Sequence, residues 1–91
     1  MFTFTVSPDN GEPYDLTVTS RDVVMWEKID RNHTINRLET NPSMKDLYSV
    51  THVAAKRRNL FPGVLAEWET SVDLEPKAPD PHASDPTQPA P

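Results

Sequence analysis

The chain has 91 residues, ten prolines, no cysteine and a formal net charge of −5. This length accommodates one small domain, and the missing cysteines exclude disulfide bonds and thiolate metal sites. The acidic balance argues against broad nucleic-acid binding, while the lack of a signal-peptide pattern or a membrane-length apolar run favours a cytoplasmic protein without a membrane anchor.

The first eighteen residues predict a β-hairpin. Phe2, Phe4 and Val6 alternate with threonines, which is the period-two pattern of a half-buried strand. Residues 14–18 repeat this pattern, and the Asn-Gly dipeptide at residues 10–11 is typical of a tight turn. A lone hairpin is marginally stable in water, so we expect its apolar face to pack on helices.

Three further segments have helical features. Ser20 is a candidate cap for a helix over residues 21–31, which contains four consecutive apolar residues and is therefore expected to be contacted on more than one side. Residues 34–39 fit either a short helix or a loop. Residues 63–72 suit a last helix.

A central amphipathic helix lies within residues 41–63. Ser43 and Asp46 have the spacing of a capping box, and the acidic residue suits the positive end of the helix dipole. The last turn is basic, which complements the exposed carbonyl groups there. Between these ends runs one apolar stripe, formed by Met44, Leu47, Tyr48, Thr51, Ala54 and Ala55.

From Asp73 onward the composition changes. This part holds six of the ten prolines and almost no large apolar side chains, so it cannot bury enough surface to offset its ordering entropy. We therefore predict an α+β fold in which an N-terminal β-hairpin packs on a small bundle of three to four helices. The domain is expected to span residues 1–74, followed by a disordered, Pro-rich acidic tail over residues 75–91.

The polar residues indicate no catalytic, cofactor-binding or metal site. His33, His52 and His82 have no paired spacing, the carboxylates are scattered, and two glycines cannot build a phosphate-binding loop. We therefore expect a protein without enzymatic activity. Trp26 and Trp68 each lie on an apolar helix stripe and are expected in the core, although either could be an interface anchor.

Three phrases of the chain, in their order and spacing, resemble the tail assembly chaperones of long-tailed phages, especially those of actinobacterial hosts. They are TSRDVVMWEK, NPSMKDLYSVTHVAAKRRNL and EWETSVDLE, at residues 19–28, 41–60 and 67–75. The positions that match the family pattern are Asp22, Val23, Val24, Trp26, Glu27, Ser43, Asp46, Leu47, Tyr48, Ala54, Ala55, Arg57, Ser71, Val72 and Asp73.

The resemblance implies a non-enzymatic protein of the host bacterial cytoplasm. Such chaperones bind the long tape-measure protein, keep it soluble, help tube subunits polymerise around it, and are typically absent from the finished virion. A longer form often arises by ribosomal frameshifting. The implied partners are the tape-measure protein and, as a second candidate, the major tail tube protein, and self-association is left open.

The basic run Lys56, Arg57 and Arg58 has two interpretations. It either complements the helix dipole at a solvated helix end or contacts phosphate or an acidic partner. Because these cations adjoin Phe61 and Leu65 at a helix junction, we hypothesise that the five residues border a surface that binds the tape-measure protein.

Two other functions fit the same sequence. A structural head–tail joining or head-completion protein of the virion is also built from small α+β subunits with flexible termini. An adaptor with a Pro-rich ligand tail is disfavoured, because the spacing at residues 76–79 lacks flanking basic residues.

Overall fold

The structure, a computed structural model, describes residues 2–77. This part of the chain forms a three-stranded sheet and four helices, which confirms the predicted α+β class. The elements in chain order are β1 (Phe2–Pro8), β2 (Tyr14–Val18), α1 (Ser20–Ile29), α2 (Ile35–Thr40), α3 (Met44–Arg57), α4 (Leu65–Ser71) and β3 (Val72–Pro76).

The sheet is antiparallel, with strand order β2-β1-β3. The predicted hairpin is confirmed, because β1 pairs with β2 and places Phe4 opposite Leu16. The outer face is polar, and Thr3 and Thr17 are joined there by a hydrogen bond of 3.1 Å between their hydroxyl groups. The inner face packs on the helices through the buried side chains of Phe4, Val6, Leu16, Val18, Val72 and Leu74.

Strand β3 corrects the predicted start of the tail. Residues 75 and 76 belong to this strand, and the backbone N–H of Lys77 donates to the carbonyl oxygen of Thr3 at 2.9 Å. Val72 and Leu74 are buried while Asp73 is exposed, which is the alternation of a half-buried strand. The prolines obscured this pattern, although an edge strand tolerates proline at its end. The rest of the predicted tail, residues 78–91, lies outside the described residues.

Helix α1 begins one residue earlier than predicted and ends two residues earlier. Its cap is Thr19 rather than Ser20, since the backbone N–H of Thr19 donates to Asp22 Oδ2 at 2.8 Å. The expectation of contacts on more than one side is wrong for the described chain. Val24 and Met25 are 49% and 47% exposed, so the run of four apolar residues has a solvent-facing half.

Helix α3 confirms the predicted capping box. The backbone N–H of Asp46 donates to Ser43 Oγ, and that of Ser43 donates to Asp46 Oδ2, each at 3.1 Å. The predicted apolar stripe faces the core along most of its length, because Thr51, Ala54 and Ala55 are buried. Met44 is the exception, since it is 52% exposed at the first turn.

Two tryptophans occupy the centre of the core, as the sequence predicts. Trp26 and Trp68 are both fully buried. Their indole N–H groups are satisfied, because Trp26 donates to Ser49 Oγ at 2.7 Å and Trp68 donates to Thr51 Oγ1 at 3.0 Å. Helix α3 therefore organises the core through its own hydroxyl groups.

The ambiguous segment after α1 forms the short helix α2 rather than a loop. Thr34 caps it, because its side-chain oxygen accepts a hydrogen bond from the backbone N–H of Arg37 at 3.2 Å. Within residues 2–77, no helix is both long enough and apolar enough to cross a membrane.

Candidate partner-binding surface

The five residues predicted to border a partner surface lie on two different parts of the molecule. Arg57 and Arg58, at the end of α3, line a cleft beside the start of α1. Leu65, at the start of α4, lines a separate groove, and Phe61 packs in the loop before it. Lys56 is exposed in the last turn of α3. The cleft and the groove share no lining residue, so the structure does not unite the five.

Arg57 and Arg58 are held in place by the buried carboxylate of Asp22. Asp22 is fully buried, and it forms ion pairs with the guanidinium groups of Arg57 and Arg58, the latter at 3.1 Å. Burial raises the pKa of Asp22, but hydrogen bonds from the backbone of Thr19 and from both arginines outweigh it and leave the pKa below its usual value. These arginines therefore tie the end of α3 to the start of α1.

The interpretation of the basic run as a dipole complement is partly supported. Arg58 Nη1 donates to the carbonyl oxygen of Ala54 at 3.0 Å, within the last turn of α3. The side chains of Arg57 and Arg58 remain 31% and 34% exposed. Each side chain therefore contacts Asp22 and remains partly exposed to solvent.

The cleft beside these arginines is basic. It has a volume of about 350 Å³ and is lined by Thr19, Ser20, Arg21, Arg57 and Arg58. Three of these residues are arginines, whereas Asp22 supplies one compensating carboxylate, so the local charge is positive. This cleft suits a carboxylate or another anion.

The loop between α3 and α4 combines packed and exposed apolar residues. The Phe61 ring lies 5.0 Å from the Trp68 ring and 6.2 Å from the His52 ring, measured between centroids. Its neighbours Leu60 and Val64 are 49% and 60% exposed. Phe61 thus covers the core, and the two flanking side chains face solvent.

A larger groove opens between the four helices. Its volume is about 580 Å³, and Ile29, Val53 and Leu65 supply its apolar lining. Polar groups complete it, among them the ion pair of Arg37 with Asp46 at 2.8 Å. Burial raises the pKa of Asp46, but hydrogen bonds from Ser43 and from Arg37 outweigh it and lower the pKa overall.

The outward face of α1 is a feature that the sequence analysis missed. Val24, Met25 and Ile29 are exposed there, and Ile29 reaches 67% exposure. On a helical wheel Arg21 and Lys28, which are also exposed, lie between Val24 on one side and Met25 and Ile29 on the other. The 3.6-residue spacing indicates that four consecutive apolar residues cannot share one helix face, but not which of them face the core; the structure buries residues 22, 23 and 26.

The histidines of the described chain have structural contacts. His33 stacks on Trp26 with ring centroids 4.2 Å apart, and its Nδ1 lies 2.9 Å from the carbonyl oxygen of Trp26. His52 Nε2 lies 2.9 Å from the carbonyl oxygen of Gly63. His82 lies outside the described residues. Among residues 2–77, no group of three or more His, Asp or Glu side chains is placed to hold a metal ion.

The arrangement is therefore a basic cleft, an apolar-lined groove and an exposed helix face between them. Ile29 belongs to both the groove and the exposed face of α1. Arg21 belongs to both that face and the cleft. Comparison with protein-family models, with curated proteins and with solved structures found no match to this chain.

Proposed function

We propose that this chain is a tail assembly chaperone of a long-tailed phage. It acts in the host bacterial cytoplasm, binds the tape-measure protein and promotes assembly of the tail tube, without enzymatic activity. The resemblance of residues 19–75 supplies the class of protein. The observation that carries the proposal is the open groove between the helices, with Ile29 exposed at its edge and Val53 and Leu65 in its apolar lining.

Such a groove suits a particular kind of partner. An amphipathic helix binds by laying its apolar stripe into an apolar groove, with anchors spaced three and four residues apart. A tape-measure protein is a long helical chain, and its apolar faces would aggregate before the tube covers them. A small domain with an open groove shields one such face at a time.

Co-expression tests the proposal. The tape-measure protein is produced with and without this chain in a bacterium that contains no other phage protein, and its soluble fraction is measured after centrifugation. We expect wild-type chain to raise that fraction. Ile29→Asp should weaken binding by roughly fivefold or more, because it places a charge at an apolar anchor.

Met44→Asp is the matched control. Met44 is 52% exposed and does not line the groove, so this variant carries the same new charge elsewhere and should retain wild-type activity. A tape-measure protein that is equally soluble with and without the chain would contradict the proposal. Recovery of stoichiometric copies from purified particles would instead favour a head–tail joining or head-completion protein.

A further inference from the structure

The outward face of α1 combines apolar and cationic side chains. Val24, Met25 and Ile29 are exposed, although side chains of this kind are more often buried. Arg21 and Lys28 lie among them on the same face, because residues three, four and seven apart share one side of a helix. An exposed apolar stripe of this kind on a small domain marks an interaction surface.

The charged side chains on this face are cationic, whereas the chain as a whole has a negative net charge. The chain carries a formal charge of −5, yet none of the ten residues of α1 places a free carboxylate here. Asp22 is buried against the arginines of α3. The carboxylate of Glu27 accepts a hydrogen bond from the backbone N–H of Ile35 at 2.9 Å.

The basic cleft continues this face at its N-terminal end. Arg21 lines the cleft together with Arg57 and Arg58, so cations extend from the end of α3 along the exposed side of α1. At the other end, Ile29 connects the face to the apolar lining of the groove. A partner lying along α1 would therefore contact the basic cleft at one end of the helix and the apolar lining of the groove at the other.

We infer that the outward face of α1 and the adjoining cleft form one docking surface for an amphipathic helix that carries carboxylates beside its apolar stripe. The identification of that helix as part of a tape-measure protein rests on the proposed function. Charge complementarity selects this occupant over a second copy of the chain. Antiparallel pairing of two α1 helices would bring Arg21 of each copy towards Lys28 of the other, and like charges repel.

Peptide binding measured by fluorescence anisotropy tests the inference on the full chain. The probes are a panel of helical peptides with a leucine stripe flanked by glutamates, and matched peptides in which lysines replace the glutamates. We expect the glutamate peptides to bind about tenfold more tightly, with an affinity that falls as salt is added. The double variant R21E/K28E should reverse this preference.

Position-matched variants locate the surface. Met25→Asp should weaken glutamate-peptide binding by about tenfold, whereas Leu60→Asp should leave it unchanged, although the two side chains are 47% and 49% exposed. Lys56→Glu is the matched control for R21E/K28E, because it reverses the charge of an exposed lysine outside α1. Equal affinity for both peptide sets, or a loss caused by Leu60→Asp or Lys56→Glu alone, overturns the inference.

Two further measurements separate this inference from the proposed function. Tape-measure fragments that bind the wild type, R21E/K28E and Met25→Asp equally would overturn the docking surface and leave the chaperone role standing. Tape-measure fragments that fail to bind, while glutamate peptides bind through α1, would contradict the chaperone role alone. A dimer in sedimentation equilibrium that Met25→Asp dissociates would assign the face to self-association and overturn the inference.

Discussion

Asn59 is the residue at which α3 stops. Its φ of 57° is the only positive value among the non-glycine residues of the described chain. The N–H of Asn59 donates to the carbonyl oxygen of Lys56 at 3.1 Å, and the N–H of Leu60 donates to that of Ala55 at 2.9 Å. These are the two hydrogen bonds of a Schellman motif, which requires the left-handed conformation at its C′ position.

Substitution at Asn59 should follow the cost of that conformation. Asn59→Ala should lower the free energy of unfolding by about 1 kcal/mol, because a Cβ without a compensating amide disfavours positive φ. Asn59→Gly should leave the free energy within about 0.5 kcal/mol of wild type or raise it. Urea unfolding followed by tryptophan fluorescence measures both. Equal destabilisation by the two variants would exclude backbone strain as the cause.

Strand β3 completes the three-stranded sheet. It pairs with β1 along five positions, from Phe4 opposite Pro76 to Pro8 opposite Val72. Its inward side chains join the core, and the Tyr48 hydroxyl donates to the carbonyl oxygen of Val72 at 2.9 Å. Helix α3 thus contacts the strand directly, next to the end of α4.

A pair of adjacent substitutions tests whether β3 is part of the cooperative fold. Leu74→Ala should lower the free energy of unfolding by about 2–3 kcal/mol, because the side chain is buried opposite Val6. Glu75→Ala lies on the exposed face and should change it by less than about 0.5 kcal/mol. Chemical denaturation measures both values. A Leu74→Ala variant as stable as the wild type would place the strand outside the folding unit.

Elements with a local signal could be predicted from the sequence. The hairpin follows from period-two alternation around Asn-Gly, and the start of α3 follows from the spacing of Ser43 and Asp46. Strand β3 could not be predicted, because its five residues contain only two large apolar side chains and adjoin a Pro-rich segment. Which half of the apolar run in α1 is buried depends on packing partners elsewhere in the chain.

The candidate site was harder to predict than the fold, since it depends on residues far apart in sequence. The sequence draws attention to the basic run, but the run's ion-pair partner Asp22 lies 35 positions before Arg57. No local pattern links the two. The exposure of Met25 likewise becomes visible only when the positions of α3 and the sheet are known.

At the scale of the whole molecule, acid should weaken the fold through two buried carboxylates. The pKa values of Asp22 and Asp46 are both lowered in the folded state. A carboxyl group with a lowered folded pKa stabilises the protein above its unfolded pKa of about 3.9, and this contribution is lost as pH falls through the folded pKa. Stability should therefore be nearly constant from neutral pH to about 5 and decline below about 4.

Thermal unfolding monitored by circular dichroism between pH 7 and pH 2 measures this decline. Asp22→Asn should lower the free energy of unfolding at pH 7 by about 2 kcal/mol, because it weakens the helix cap and both arginine contacts. The stability of this variant should also approach that of the wild type at low pH, because Asp22 is then protonated and uncharged, as asparagine is. A constant difference between the two curves would show that Asp22 does not contribute through its charge.

Arg57 and Arg58 have two roles, and this limits how the residues that line the basic cleft can change in evolution. Both residues pair with the buried Asp22 and also line the cleft, so replacing either one would impair the fold as well as any binding in the cleft. Arg21 has no recorded ion pair with the described chain and can change at little structural risk. Under the proposed docking, adaptation to a new partner would therefore begin at Arg21, while Arg57 and Arg58 stay constant.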